Sequence, residues 1–113
     1  MAHDDATVLD MLKAARLAVA FKKGMRKATF MRDAKTQSAV LHQLLVFGEA
    51  AKRLSSEFRT SHPEVPWKQA AGMRDQLIHE YDDVDLDKVW KTLTADIPPL
   101  IAALEPLAPV AEE

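Results

Sequence analysis

Apolar residues recur along this chain every three or four positions, the spacing that lines one side of an α-helix. Val8, Leu12, Ala15 and Val19 form the first such stripe; Asp4, Asp5 or Thr7 can cap its start and Gly24 can end it. From Lys22 to Arg32 the periodicity fails, which predicts an irregular connection whose apolar pair, Phe30-Met31, docks back onto the helices. Asp33 or Thr36 then opens the longest predicted helix, carrying Val40, Leu44, Phe47, Ala51, Leu54 and Phe58, with Leu41 and Leu45 widening its face. So regular a stripe needs partner helices on two sides, which is bundle geometry. Gly48 interrupts the stripe at a cost of about 1 kcal/mol relative to alanine, so close approach of another backbone is expected there. Glu49 and Arg53, four apart, predict a surface ion pair, and that reading of Glu49 is preferred to a catalytic one.

Arg59 to Pro66 is rich in turn formers, and Pro66 suits the first position of a short helix over Trp67 to Ala71 that runs into Gly72. Asp82-Asp83-Val84 breaks the chain again before Asp85, a cap for a helix whose buried face is Leu86, Val89, Trp90, Leu93 and Ile97. Pro98-Pro99 kinks or restarts that helix, and Leu100, Ile101, Leu104 and Leu107 continue its apolar face. No segment alternates with a period of two. The expected fold is therefore an all-α antiparallel helical bundle, one domain over residues 1–113, with 1–4 and 109–113 frayed.

Composition narrows the chemistry. A chain of 113 residues is the size of one domain. It has no cysteine, which removes thiol nucleophiles, disulfides and cysteine-ligated metals. The first residues lack a secretion pattern and no apolar run is long enough to span a bilayer, so a cytoplasmic protein without membrane contact is expected. Net charge is only −2, but its distribution is uneven. Lys13, Arg16, Lys22, Lys23, Arg26, Lys27, Arg32 and Lys35 share one segment with a single acid, Asp33, which reads either as a phosphate-facing patch or as a solvated helix face and loop.

Candidate chemistry concentrates in Gly72 to Tyr81. His3, His42, His62 and His79 give no zinc-binding pair, no inward Glu-x-x-His pair exists, and no glycine-rich loop can cradle a phosphate, so no metal or cofactor is expected. The acids Glu80, Asp82, Asp83, Asp85 and Asp87 could hold magnesium, but helix capping and loop solvation explain them more cheaply. On an ideal helix Ala70, Met73, Leu77 and Tyr81 share the core face with Arg74 at its edge, while Asp75 and His79, four apart, face outward and can hydrogen-bond. An outward histidine at a helix end is usually a favourable charge for the helix dipole. It also suits metal-free RNA cleavage, which needs a base for the 2′-hydroxyl, an acid for the leaving 5′-oxygen and a cation for the charged transition state. Two copies of one histidine across a dimer axis can share the first two tasks, because an unperturbed imidazole pKa of ~6.5 leaves both protonation states accessible. Arg74 supplies the cation.

The pattern Arg74-Asp75-x-x-x-His79-x-Tyr81 resembles the Arg-x4-His-x-Tyr motif of HEPN-domain ribonuclease toxins, in particular the HepT-like family. The flanks Gly48-Glu49-Ala50-Ala51-Lys52-Arg53-Leu54, His62-Pro63-x-x-Pro66-Trp67, Asp85-Leu86-x-x-Val89-Trp90 and Asp96-Ile97-Pro98-Pro99-Leu100 are similar to that family's wording, over roughly Asp33 to Leu104. The resemblance implies a HEPN-like bundle that forms a homodimer, with Arg74 and His79 of both chains lining an RNA-cleaving cleft; Asp75, four residues before His79, is expected from its spacing to orient the histidine. It also implies the toxin half of a type VII-like toxin-antitoxin pair, whose MNT-type nucleotidyltransferase antitoxin transfers AMP to the motif tyrosine, here Tyr81. Asp75 departs from the commoner asparagine and puts a negative charge near the phosphate. The alternative is a non-catalytic HEPN module that binds a nucleotidyltransferase.

Overall fold

The structure, a computed structural model, describes residues 2–109. Helix α1 (Ala2–Phe21) buries Val8, Met11, Leu12, Ala15 and Ala18, the predicted stripe and its neighbours, and stops at Gly24, whose φ of +79° is open to glycine at little cost. It begins earlier than its expected caps and takes in Asp4, while the fraying expected at residues 1 and 110–113 lies outside the described residues. The Asp4 side chain is only 2% exposed, and its two oxygens accept hydrogen bonds from the Ser55 backbone N–H at 2.9 Å and the Ser55 hydroxyl at 2.8 Å. Ser55 Oγ in turn accepts from the Phe58 N–H at 3.1 Å and so caps α4 (Ser56–Ser61). An acid expected to cap its own helix thus fastens a corner 51 residues away.

These bonds hold the Asp4 carboxyl below the usual carboxylate range, chiefly the Ser55 N–H and then its hydroxyl. Asp33, which accepts from the Thr36 N–H, and Asp85, which accepts from the Lys88 N–H, are lowered in the same way. A carboxylate depressed in the folded state contributes stability that is complete above its unfolded pKa and is lost as pH falls through the folded one. Stability should therefore decline as pH falls below the ordinary value of 3.8. Asp4→Asn should flatten that decline and lower the midpoint at neutral pH. Urea unfolding midpoints between about pH 6 and pH 3 measure both effects; identical pH profiles would show that the Asp4 to Ser55 contact carries no such linkage.

The short helix α2 (Lys27–Phe30) occupies part of the expected loop, and Phe30 docks into the core as predicted, its ring 5.2 Å from that of Trp90. Part of the basic segment is engaged within the fold. Arg16 pairs with Glu105 and Lys27 with Asp87, both at 2.8 Å, while Lys22 lies over the Trp90 ring. Asp33 caps α3 (Ala34–Lys52), which is a residue shorter than α1 and ends well before Phe58. The chain turns at Arg53 and Leu54, and the helical stripe resumes in α4 with Phe58 half-buried. The expected Glu49 to Arg53 pair does not form. Glu49 meets Lys52 at 3.5 Å, and Arg53, at the turn, reaches Asp10 on α1 at 3.5 Å.

Val40, Leu44, Phe47, Ala50 and Ala51 of α3 are buried against α1, whose small residues Ala14, Ala15 and Ala18 let the two backbones approach. Complete burial of a side chain such as Phe47 contributes roughly 1.5–3 kcal/mol. On the other side of α3 lie α5 (Trp67–Ala71) and α6 (Met73–Leu77), and the close approach expected at Gly48 occurs here. A Cβ at that position would stand 3.1 Å from the Ala70 carbonyl oxygen and 3.2 Å from Met73 Cβ. Helix α7 (Leu86–Lys91), a π-helical turn over Thr92–Asp96 and α8 (Ile97–Leu104) follow one another directly and complete the bundle. Pro98 and Pro99 provide no N–H for the preceding turn, and the backbone widens there, with the Ile97 N–H donating to the Thr92 carbonyl five residues back. The fold is all-α, as expected.

Candidate active site

Helix α6 follows α5 across Gly72, and hydrogen bonding continues through the joint: Gly72 N–H to Lys68 O at 3.0 Å, Gln76 N–H to Gly72 O at 3.2 Å. Met73 and Leu77 are fully buried, which fixes α6 against the core and leaves Arg74 and Asp75 exposed. The helix then ends. The Ile78 N–H donates to the Arg74 carbonyl at 2.9 Å, but Ile78 itself is extended, with φ −119° and ψ 121°.

From Ile78 the chain forms a closed loop rather than two further helical residues and a tyrosine. Ile78 pairs with Val84 as an isolated antiparallel bridge, flanked by Asp85 N–H to Leu77 O at 2.9 Å and His79 N–H to Asp83 O at 2.8 Å. The tip is a single 3₁₀ turn over Glu80–Asp82. Two expectations fail for this reason. Tyr81 does not share the core face of Met73 and Leu77 but is 99% exposed, with φ +62°. That left-handed backbone costs a residue bearing a Cβ roughly 1–2 kcal/mol, and the bridge across the loop holds it in place.

Nor does Asp75 orient His79, since no hydrogen bond or ion pair joins them. The partner of His79 is Asp85, with Nε2 to Oδ2 at 3.3 Å. Asp85 divides its two oxygens between two tasks: Oδ1 accepts from the Lys88 N–H at 3.0 Å and caps α7, while Oδ2 meets the histidine. Its carboxyl is held below the usual range by the Lys88 N–H first and the His79 ring second. It therefore stays anionic throughout the range in which an imidazole exchanges protons. His79 is half exposed, and its Nδ1 makes no hydrogen bond among the described residues.

Sequence reasoning assigned Asp85 only its cap. The available signal was the pair of β-branched residues, Ile78 and Val84, that brackets a polar tip and brings His79 back beside the next helix start. Among the described residues no three acids or histidines group as metal ligands; Asp85 is engaged as described and Asp87 pairs with Lys27. Arg74, Asp75, His79 and Tyr81 are all solvent-facing, three on or next to α6 and the fourth at the loop tip. The assembly offers an exposed imidazole with an anchored carboxylate partner, a guanidinium close by in the chain, and a fully presented phenol.

The model of the ribonuclease HepT-like family matches residues 11–107. A protein of Thermococcus cleftensis named as a probable ribonuclease HepT is 42% identical over 98 residues, covering 87% of this chain and 89% of its own. A Caldanaerobacter subterraneus protein with a provisional RNase name is 45% identical over 78 residues, covering 69% and 70%. One from Methanocaldococcus jannaschii, also provisionally named an RNase, is 35% identical over 108 residues, covering 96% and 93%. No solved structure matches the chain significantly. No described helix is long and apolar enough to cross a membrane. With a family match across most of its length and relatives at this identity, the chain belongs to the HepT-like ribonuclease family.

Proposed function

We propose that this chain is a toxin endoribonuclease that cleaves RNA without metal, as a homodimer in which His79 of the two copies supplies base and acid. One imidazole takes the proton of the 2′-hydroxyl, whose oxygen attacks phosphorus; the other gives a proton to the departing 5′-oxygen, leaving a 2′,3′-cyclic phosphate. Arg74 stabilises the charge that builds on the phosphoryl oxygens. Asp85 replaces Asp75 as the residue that positions His79, and Asp75 is left as a charge at the rim. The observation that carries this reading is the exposed His79 ring, tethered at 3.3 Å to Asp85 on a loop that closes beside the Arg74 helix. A shallow groove of about 180 Å³ adjoins the return of that loop, with half-buried Leu41, Val84 and Leu86 among its walls. It gives a second copy apolar surface to cover next to the histidine.

The exposed Tyr81 hydroxyl suits the role of AMP acceptor for an MNT-type nucleotidyltransferase antitoxin. Mass spectrometry of the chain co-expressed with such an enzyme should show added AMP, absent in Tyr81→Phe. The second reading, a non-catalytic module that only binds the nucleotidyltransferase, is favoured by the exposed acids Glu80 and Asp83, which repel RNA. Incubating the purified dimer with total RNA in EDTA separates the two: fragments ending in cyclic phosphate support the enzyme, and intact RNA supports the module.

Asp85 permits a sharper test of positioning. Asparagine caps helices about as well as aspartate, whereas alanine does not. Asp85→Asn should keep the thermal midpoint near wild type yet lose cleavage, while Asp85→Ala should lose both. If Asp85→Asn cleaves with an unchanged pH profile, the carboxylate is only a cap.

A further inference from the structure

We propose that the groove between α4 and α5 is a phosphate subsite, which holds the RNA backbone beyond the scissile bond. This rests on the ribonuclease reading above. The groove has a volume of about 460 Å³ and is lined by Ser56, Arg59, Thr60, Trp67, Lys68 and Ala71, none of which carries a carboxylate. Its polar side chains offer two cations and two hydroxyls, a set that complements a polyanion. Trp67 is mostly buried, and its indole N–H is already committed to the His62 carbonyl at 2.8 Å, so the ring contributes an apolar wall.

Arg59 carries the strongest signal. Its Nε is buried and has no hydrogen-bond acceptor among the described residues. A buried N–H without an acceptor is uncommon and unfavourable in a native fold. A guanidinium offers paired N–H groups that match two oxygens of one phosphate, and a small shift of the Arg59 side chain would bring the covered Nε to such a ligand. Neither Arg59 nor Lys68 makes an ion pair among the described residues, in contrast to Arg16 and Lys27 of the basic segment.

The groove is walled in part by α5, the short helix that precedes the one carrying Arg74. Lys68 and Arg74 belong to the helical run that continues through Gly72, about 9 Å apart along its axis. Ala71, on the groove wall, precedes Arg74 by one turn. A strand whose scissile phosphate meets Arg74 can place a neighbouring phosphate against Lys68 and Arg59. Because the side chains of the groove offer donors to phosphate and no pattern that reads base edges, the contact is independent of sequence.

The test uses the full-length dimer and a fluorescent single-stranded oligonucleotide with every 2′-hydroxyl methylated, so that binding is read without cleavage. Lys68→Glu and Arg59→Gln should each weaken binding severalfold, and each should reduce the slope of log affinity against log salt by about 0.7, the value for one lost contact on a single strand. With cleavable RNA, KM should rise while kcat holds. Lys68 is exposed, so Lys68→Glu keeps the test valid if Arg59→Gln disturbs packing against Trp67. Unchanged affinity and salt slope in Lys68→Glu, or no binding by the wild-type dimer, would overturn the subsite. Wild-type binding that both variants weaken, with no cleavage of natural RNA, would uphold the subsite and remove the ribonuclease reading instead.

Discussion

Alanine at position 79 is expected to reduce RNA cleavage by a factor of about 10²–10⁴, the range for losing a general acid or base. The reasoning begins with exposure. The His79 side chain is 55% accessible and its one side-chain hydrogen bond among the described residues is with Asp85, so its removal should leave the core and the fold intact. In the proposed dimer what would be lost is proton transfer on both sides of the phosphorus, because each copy would contribute the same residue. Dimers containing one altered chain keep a base or an acid but not both, and should resemble the doubly altered dimer more than wild type. Initial rates on a labelled RNA, with circular dichroism and sedimentation to verify fold and assembly, decide the matter. Undiminished cleavage by a well-folded His79→Ala dimer would remove His79 from the chemistry.

Arg74→Ala should cost about 10²–10³ in kcat, the effect of removing a preorganised donor to developing negative charge. Met73 and Leu77 hold α6 against the core, and Gly48 lets the α5 and α6 backbones sit directly on α3, so the exposed arginine stands on a firm base. Arg74→Lys tests geometry against charge. Lysine keeps the positive charge but loses the planar fork, so its rate should fall between those of the wild type and alanine. A rise in KM alone, with kcat unchanged, would make Arg74 a substrate-binding residue and not a transition-state clamp.

The helices were legible because burial on one side writes a period of 3.6 into the chain, and Val40, Leu44, Phe47 and Ala51 repeat it without interruption. The same regularity concealed the break between α3 and α4. Leu54 and Phe58 continue the stripe in phase, and only the Ser55 cap, itself tied to Asp4, reveals that the backbone turns. Long-range contacts of that kind leave no periodic trace in a sequence. At the site, the spacing of Arg74 and His79 was readable but the directions of the side chains were not. An ideal helix through Tyr81 pairs Asp75 with His79 and buries the tyrosine. The real chain leaves the helix at Ile78, where pairing with Val84 prevails over helical continuation and hands the histidine to Asp85.

Tyr81 extends almost entirely into solvent from a loop closed by backbone hydrogen bonds. A nucleotide attached to its hydroxyl would displace no core side chain and break none of those bonds. On the proposed scheme, silencing by AMP transfer would leave the fold and its melting behaviour unchanged and act only through the bulk and negative charge added at the loop tip. Hydrolysis of that one linkage would return a protein that has nothing to refold.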